Sequence, residues 1–276
     1  MIDEIIMKRV VWKAGWAAQM SPSNTNAGVH RFLNNGRSSW TGPLLMLGAR
    51  LGFAVAAQAV AAGVFLLRGE ATPWKSAAPW WTVYGTLIDI GCLLALTYWM
   101  RREGGRLSDL VGMQPERLGR DILLGLAYTA GILPFAVLGG FLGTTLIYGS
   151  VPGPIPIGPL PLAGALYSFL IWPVVWAITE EITYLGYVLP RLEALTGRTW
   201  IAFLMVAFFW SIQHSAMPLR LDLHFILWRA LTSLPVMVVM SLIFIRTRRL
   251  MPLIVAHWTA DALAVLITAL LPVLRQ

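Results

Sequence analysis

Residues 160–189 read LPLAGALYSFLIWPVVWAITEEITYLGYVL. No charged side chain interrupts Leu160–Ile178, and the run approaches the ~20 residues that cross a bilayer core as a helix; a continuation to Leu189 lengthens it further. Two adjacent carboxylates, Glu180 and Glu181, follow directly. An ionisable side chain at bilayer depth costs at least ~2.5–3.5 kcal/mol on insertion scales, so it faces a protein interior or a watery cavity. A pair of them asks for surrounding helices that supply partners and keep lipid away. The fold expected is therefore all-α, a polytopic transmembrane helical bundle.

The rest of the chain supplies those helices. Further apolar runs lie at Leu44–Leu67, Trp80–Met100, Ile122–Tyr148, Trp200–Gln213, Phe225–Ile245 and Pro252–Leu271, giving about seven transmembrane helices, of which the one at Trp200–Gln213 is short. Of 276 residues, 57% are hydrophobic and 12% charged, against roughly 25% charged in soluble domains. The formal net charge of +8 does not point to nucleic acid, because Lys and Arg lie mainly between the apolar runs, where they set topology and meet anionic headgroups. Five precede the first run and five lie from Arg101 to Arg120, whereas Val151–Pro161 has none and the loop before Phe225 has Arg220 alone. The positive-inside rule then puts the N-terminus in the cytoplasm and the C-terminus outside a cell (plasma) membrane. Arginine far outnumbers lysine, a bias that suggests a bacterial source.

Residues 1–43 read as an N-terminal cytoplasmic segment and 44–276 as the transmembrane domain, with a motif-bearing core at about 160–271. Met1–Met20 is partly amphipathic and reads as an interfacial helix or a frayed terminus. Ser21–Gly42 is rich in Asn, Ser and Gly and reads as a loop. No short apolar core with a small-residue cleavage site marks a secretory signal. Val151–Pro161 contains five prolines and is expected to be extended.

Several chemistries are excluded by pattern. His-Glu-x-x-His is absent, as are a Gly-x-Ser-Gly nucleophile, an aspartyl Gly-x-Gly-Asp and any Gly-rich phosphate loop. The single cysteine, Cys92, has no basic neighbour in sequence. What remains is Glu180, Glu181, His214, and the pair His257 and Asp261 spaced i, i+4. A glutamate takes a proton from water, and an imidazole orients that water or donates to an oxyanion. No cofactor is required, yet Glu180, His214 and His257 are equally a donor set for a divalent metal such as zinc.

The order and flanks of these residues resemble the CAAX protease and bacteriocin-processing family (CPBP, or Abi) of intramembrane proteases, which includes the Ras-converting CAAX endopeptidases. Glu180-Glu181 with Leu185-Gly186-Tyr187-Val188-Leu189-Pro190-Arg191-Leu192 resembles its first motif, Trp210 to His214 its Phe-x-x-x-His, and His257 to Asp261 its closing His-x-x-x-Asn/Asp. The connector Arg101–Leu110 is also of a type found there. The resemblance implies an endopeptidase in which Glu180 activates water with His214, Glu181 orients the site, and His257 and Asp261 support the oxyanion. It implies a peptide or protein substrate, membrane-anchored in some relatives, and no bound metal. Three positions depart from the pattern: Leu185 stands where the family usually has arginine, Trp210 replaces Phe, and Asp261 is the acidic variant. Arg191 replaces the missing cation only if the chain folds back.

Each residue also has a plainer reading. The glutamates could be a solvated helix-end pair, His214 a packing histidine bonded to a backbone carbonyl, and His257 and Asp261 a pair along one helix face. Asp89, within the second run, is expected to pair with Arg229 or Arg50, while both arginines snorkel from helix ends. His224 and Asp222 read as solvated. At the level of function, a catalytically inactive membrane scaffold or regulator is the alternative that Leu185 favours, and a proton-coupled transporter is another. Oligomeric state leaves no mark on the sequence.

Overall fold

The computed structural model describes residues 29, 32, 39–149 and 160–275. The expectations for Met1–Met20, for most of Ser21–Gly42 and for residues 151–159 lie outside the described residues. Those described are helical, without a strand among them.

The helices that build the bundle are α1 (Thr41–Leu67), α2 (Trp81–Arg102), α3 (Leu118–Tyr148), α4 (Leu162–Leu170), α5 (Trp172–Glu181), α6 (Leu189–Thr196), α7 (Thr199–Gln213), α8 (Leu223–Thr247) and α9 (Met251–Val265). Between α5 and α6 the chain is π-helical over Ile182–Val188, and a second π-helical stretch, Leu266–Leu270, extends α9. Both stretches lead into a proline, Pro190 and Pro272. A proline has no N–H to give the carbonyl four residues back and its ring crowds that carbonyl, so the preceding turn widens instead of breaking. α4 to α6 thus run as one helical span, Leu162–Thr196, with the carboxylates just before its widened turn.

Among the described residues six spans are long and apolar enough to cross a membrane. The seventh apolar run is α7, of 15 residues. At ~1.5 Å per residue it reaches about 22 Å, short of the ~30 Å hydrocarbon core. Gly197 in the left-handed region (φ 67°) turns the chain from α6 into α7, and Asp222 caps α8 by accepting the His224 N–H. His224 and Asp222 are exposed, as expected.

Small residues set how closely the long helices approach. A Cβ on Gly139 would collide with the Thr232 carbonyl of α8, and one on Gly143 would lie 2.7 Å from Thr232 Cγ2. Gly139-x-x-x-Gly143 is the spacing by which membrane helices pack backbone to backbone. Gly125 does the same for α3 against Val255 of α9. The outward faces carry exposed Leu45, Val137, Phe141 and Leu146, the apolar surface that lipid covers. The core runs from Met46 and Leu96 through Tyr184, Trp210 and Phe244 to Leu253, so the carboxylates of α5 sit at the centre of the bundle.

Candidate active site

Glu180 and Glu181 are fully buried, which removes the solvated helix-end reading. Adjacent residues on a helix point about 100° apart, and the two side chains reach different partners. Glu180 accepts Trp210 Nε1–H at Oε2 (2.7 Å) and Gln213 Nε2–H at Oε1 (2.6 Å). Glu181 Oε1 lies 3.0 Å from His257 Nδ1. The imidazole's other nitrogen, Nε2, stands 3.8 Å from Glu180 Oε2 and 3.4 Å from Asp261 Oδ2. His257 is therefore ringed by three carboxylates contributed by α5 and by its own helix, α9.

α7 ends at Gln213, and Trp210 and Gln213 of its last turn lie level with Glu180. Trp210 also stacks on Tyr184, with ring centroids 5.3 Å apart at 17°. Tyr184 belongs to the widened turn and gives its hydroxyl to Gln213 Oε1 (3.1 Å).

His214 sits differently from the expectation that it engages Glu180. It is half-buried, its Nδ1 lies 2.9 Å from the Trp210 carbonyl, and among the described residues it makes no hydrogen bond to Glu180. Arg229 is half-buried and spans the end of α7, donating to the carbonyls of His214 (3.2 Å) and Met217 (2.8 Å).

Arg50 corrects the sequence reading most sharply. Expected to snorkel, it is instead fully buried. Its Nη1 lies 3.0 Å from Asp89 Oδ1, its Nε 3.0 Å from Gln213 Oε1 and its Nη2 3.5 Å from Glu180 Oε1. Of the two partners foreseen for Asp89, Arg50 is the one it meets. Arg191 does not reach the glutamates either: it is buried against Glu103, with Nε and Nη2 on the carboxylate at 3.0 and 2.5 Å, and Tyr187 O–H adds a third donor at 2.8 Å. Trp210 and Gln213 were missed as donors to Glu180 because neither is ionisable, and Arg50 because it is distant in sequence.

Four buried atoms of the cluster, Arg50 Nη2, Asp89 Oδ2, Glu181 Oε2 and Asp261 Oδ2, have no hydrogen-bond partner among the described residues. Among the described residues no three His, Cys, Asp or Glu side chains are grouped as a metal site, and Nδ1 of His214 lies 2.9 Å from the Trp210 carbonyl.

The described residues thus form a helical bundle in which acid and imidazole side chains from separate helices meet in the interior. Residues 162–263 match the model of the family described as Type II CAAX prenyl endopeptidase Rce1-like. The match spans 102 of the 276 residues and takes in Glu180, Glu181, His214, His257 and Asp261. No match is found among curated proteins or among solved structures. Arg50 and Asp89 lie outside the matched residues.

Proposed function

We propose that the chain is an intramembrane endopeptidase that hydrolyses a peptide bond with water activated by Glu180. The observation that carries this reading is the position of Glu180: fully buried, with donors on both oxygens and the Nε2 of His257 3.8 Å away. An ionised carboxylate has about four lone-pair directions. Trp210 and Gln213 occupy two, leaving others for a water.

In this mechanism Glu180 takes a proton from water as the oxygen attacks the scissile carbonyl carbon. The same proton passes to the departing nitrogen when the tetrahedral intermediate collapses, so acid and base are one carboxyl group. Glu181 accepts from Nδ1 of His257 and fixes the direction of the ring, the arrangement by which a carboxylate orients a catalytic imidazole. The other nitrogen then faces the reacting carbon, where a protonated ring donates to the developing oxyanion. Asp261, with Oδ2 3.4 Å from that nitrogen, balances the charge of the protonated ring, and His214 provides a second imidazole at the rim. No step passes through a metal.

The substrate is a peptide or protein segment entering from the membrane or its cytoplasmic face. The test is turnover by protein purified in detergent, using an internally quenched peptide mixture. Glu180→Gln keeps the shape and is expected to lose about 10³-fold or more in kcat with an unchanged melting temperature. Equal cleavage by parent and variant rejects Glu180 as the base, and no turnover by the parent favours a non-catalytic scaffold.

A further inference from the structure

We propose that Arg50 of α1, held by Asp89 of α2, is a positioning residue for Glu180 that acts by fixing the amide of Gln213. This rests on the assignment of Glu180 as the base, but its geometry involves residues that neither the motifs nor the family match contains.

A glutamine amide can present either its oxygen or its NH₂ to a neighbour, and the surrounding donors and acceptors decide which. Here Oε1 of Gln213 receives Arg50 Nε–H (3.0 Å) and Tyr184 O–H (3.1 Å), and its Nε2 donates to Glu180 Oε1 (2.6 Å). Tyr184 does not impose this choice, since a hydroxyl donates or accepts. Arg50 does, because a guanidinium has donors only. With the amide reversed, NH₂ would face the guanidinium and the amide oxygen would face the carboxylate, two repulsive contacts in a buried setting. Arg50 thereby makes the Gln213–Glu180 bond one-directional.

Arg50 is itself fixed on three sides. Asp89 Oδ1 accepts from Nη1 (3.0 Å), the Trp176 ring lies 4.2 Å beneath the guanidinium carbon, and Nη2 stands 3.5 Å from Glu180 Oε1, within ion-pair reach but without hydrogen-bond geometry. Asp89 also balances the buried positive charge. With Leu185 uncharged and Arg191 engaged by Glu103, the cation beside the carboxylate comes from α1.

The experiment compares parent, Arg50→Lys and Arg50→Met/Asp89→Leu. Removing both members of a buried ion pair is tolerated far better than removing one, so the double variant is expected to fold. Its kcat on the quenched peptide mixture is expected to fall about 100-fold, the scale of one lost electrostatic positioning contact, with KM altered less than about threefold. Arg50→Lys keeps a donor-only cation and is expected to recover to within about tenfold of the parent. A kcat for the double variant within about threefold of the parent overturns the proposal. Should the double variant fail to fold, Arg50→Lys is measured with and without Gln213→Met. A residue that acts through Gln213 gives strongly non-additive losses, and additive losses overturn the proposal.

An activity-independent arm separates this from the hydrolase reading. Dicyclohexylcarbodiimide modifies protonated carboxyls in apolar surroundings, and labelling at Glu180 is located by fragment mass spectrometry. Labelling is expected to rise at least about fivefold when the guanidinium is removed, as an unpaired buried carboxyl gives up its charge; unchanged labelling rejects the role. If Glu180→Gln cleaves like the parent, Glu180 falls as the base while the labelling result still decides Arg50.

Discussion

The Nδ1 atom of His257 lies 3.0 Å from Oε1 of Glu181, so the two neighbouring carboxylates divide their work by direction. Glu180 takes the indole and amide donors of α7, while Glu181 takes the imidazole of α9. Adjacency in sequence is what allows it: a 100° turn between successive side chains aims the hydrogen bonds of Glu180 at α7 and that of Glu181 at α9.

That division predicts a specific failure for Glu181→Gln. The amide still fits, but it is no longer a charged acceptor and it can offer NH₂ to the ring, releasing the direction of His257. The expected result is a fall in kcat of about 10²–10⁴-fold, the range for a misdirected general acid or base, with KM and melting temperature near the parent's. Steady-state cleavage and a thermal melt on the same preparation check it.

Trp210 allows a subtler test. Phe stands at this place in the resembling motif, and Trp210→Phe keeps the ring stacked on Tyr184 while deleting the Nε1–H that reaches Glu180 Oε2 at 2.7 Å. A hydrogen bond to a charged group contributes about 1.5–3 kcal/mol, which sets the expected loss at roughly ten- to 150-fold in kcat. Stability should change little, because the apolar contact survives. A loss of melting temperature without a loss of kcat would assign Trp210 to packing alone.

These contacts also mark where sequence reasoning stops. The bundle was legible because apolar runs near 20 residues have few other uses, and the acidic and imidazole candidates stood out because charge is costly there. Arg50 was misread because its position toward one end of an apolar run suits a snorkelling side chain equally well; only the pairing of α1 with α2 shows that it points inward to Asp89. The Trp200–Gln213 run could be seen to be short, but not that its last turn places Gln213 against Glu180. The role of Leu185 was framed as a missing charge, whereas the cation beside Glu180 comes from a different helix.

The Glu103–Arg191 pair is a structural counterpart to the central cluster. Arg191 is nearly inaccessible and its guanidinium also lies 3.9 Å from the Tyr187 ring centre. Breaking a buried pair by removing one partner costs about 3–5 kcal/mol. Arg191→Met is therefore expected to lower the melting temperature markedly, whereas Arg191→Met/Glu103→Gln should recover part of the loss. Thermal melts of the single and double variants check the coupling, and equal melting temperatures would show that the pair contributes no net stability.

Packing between α3 and α8 yields the cleanest contrast, because neighbouring glycines differ only in what they face. A Cβ on Gly139 would drive into the Thr232 carbonyl, whereas a Cβ on Gly140 meets nothing within 4 Å. Backbone cannot rotate aside as a flexible side chain does, so Gly139→Ala must separate the helices. Overpacking of this kind costs about 1–3 kcal/mol. Gly140→Ala lacks that clash and gains helix propensity of up to ~1 kcal/mol. Gly139→Ala is expected to melt several degrees below the parent and Gly140→Ala at or above it, measured in the same detergent. Equal melting temperatures for the two would mean that α3 and α8 do not approach as closely as Gly139 and Thr232 require.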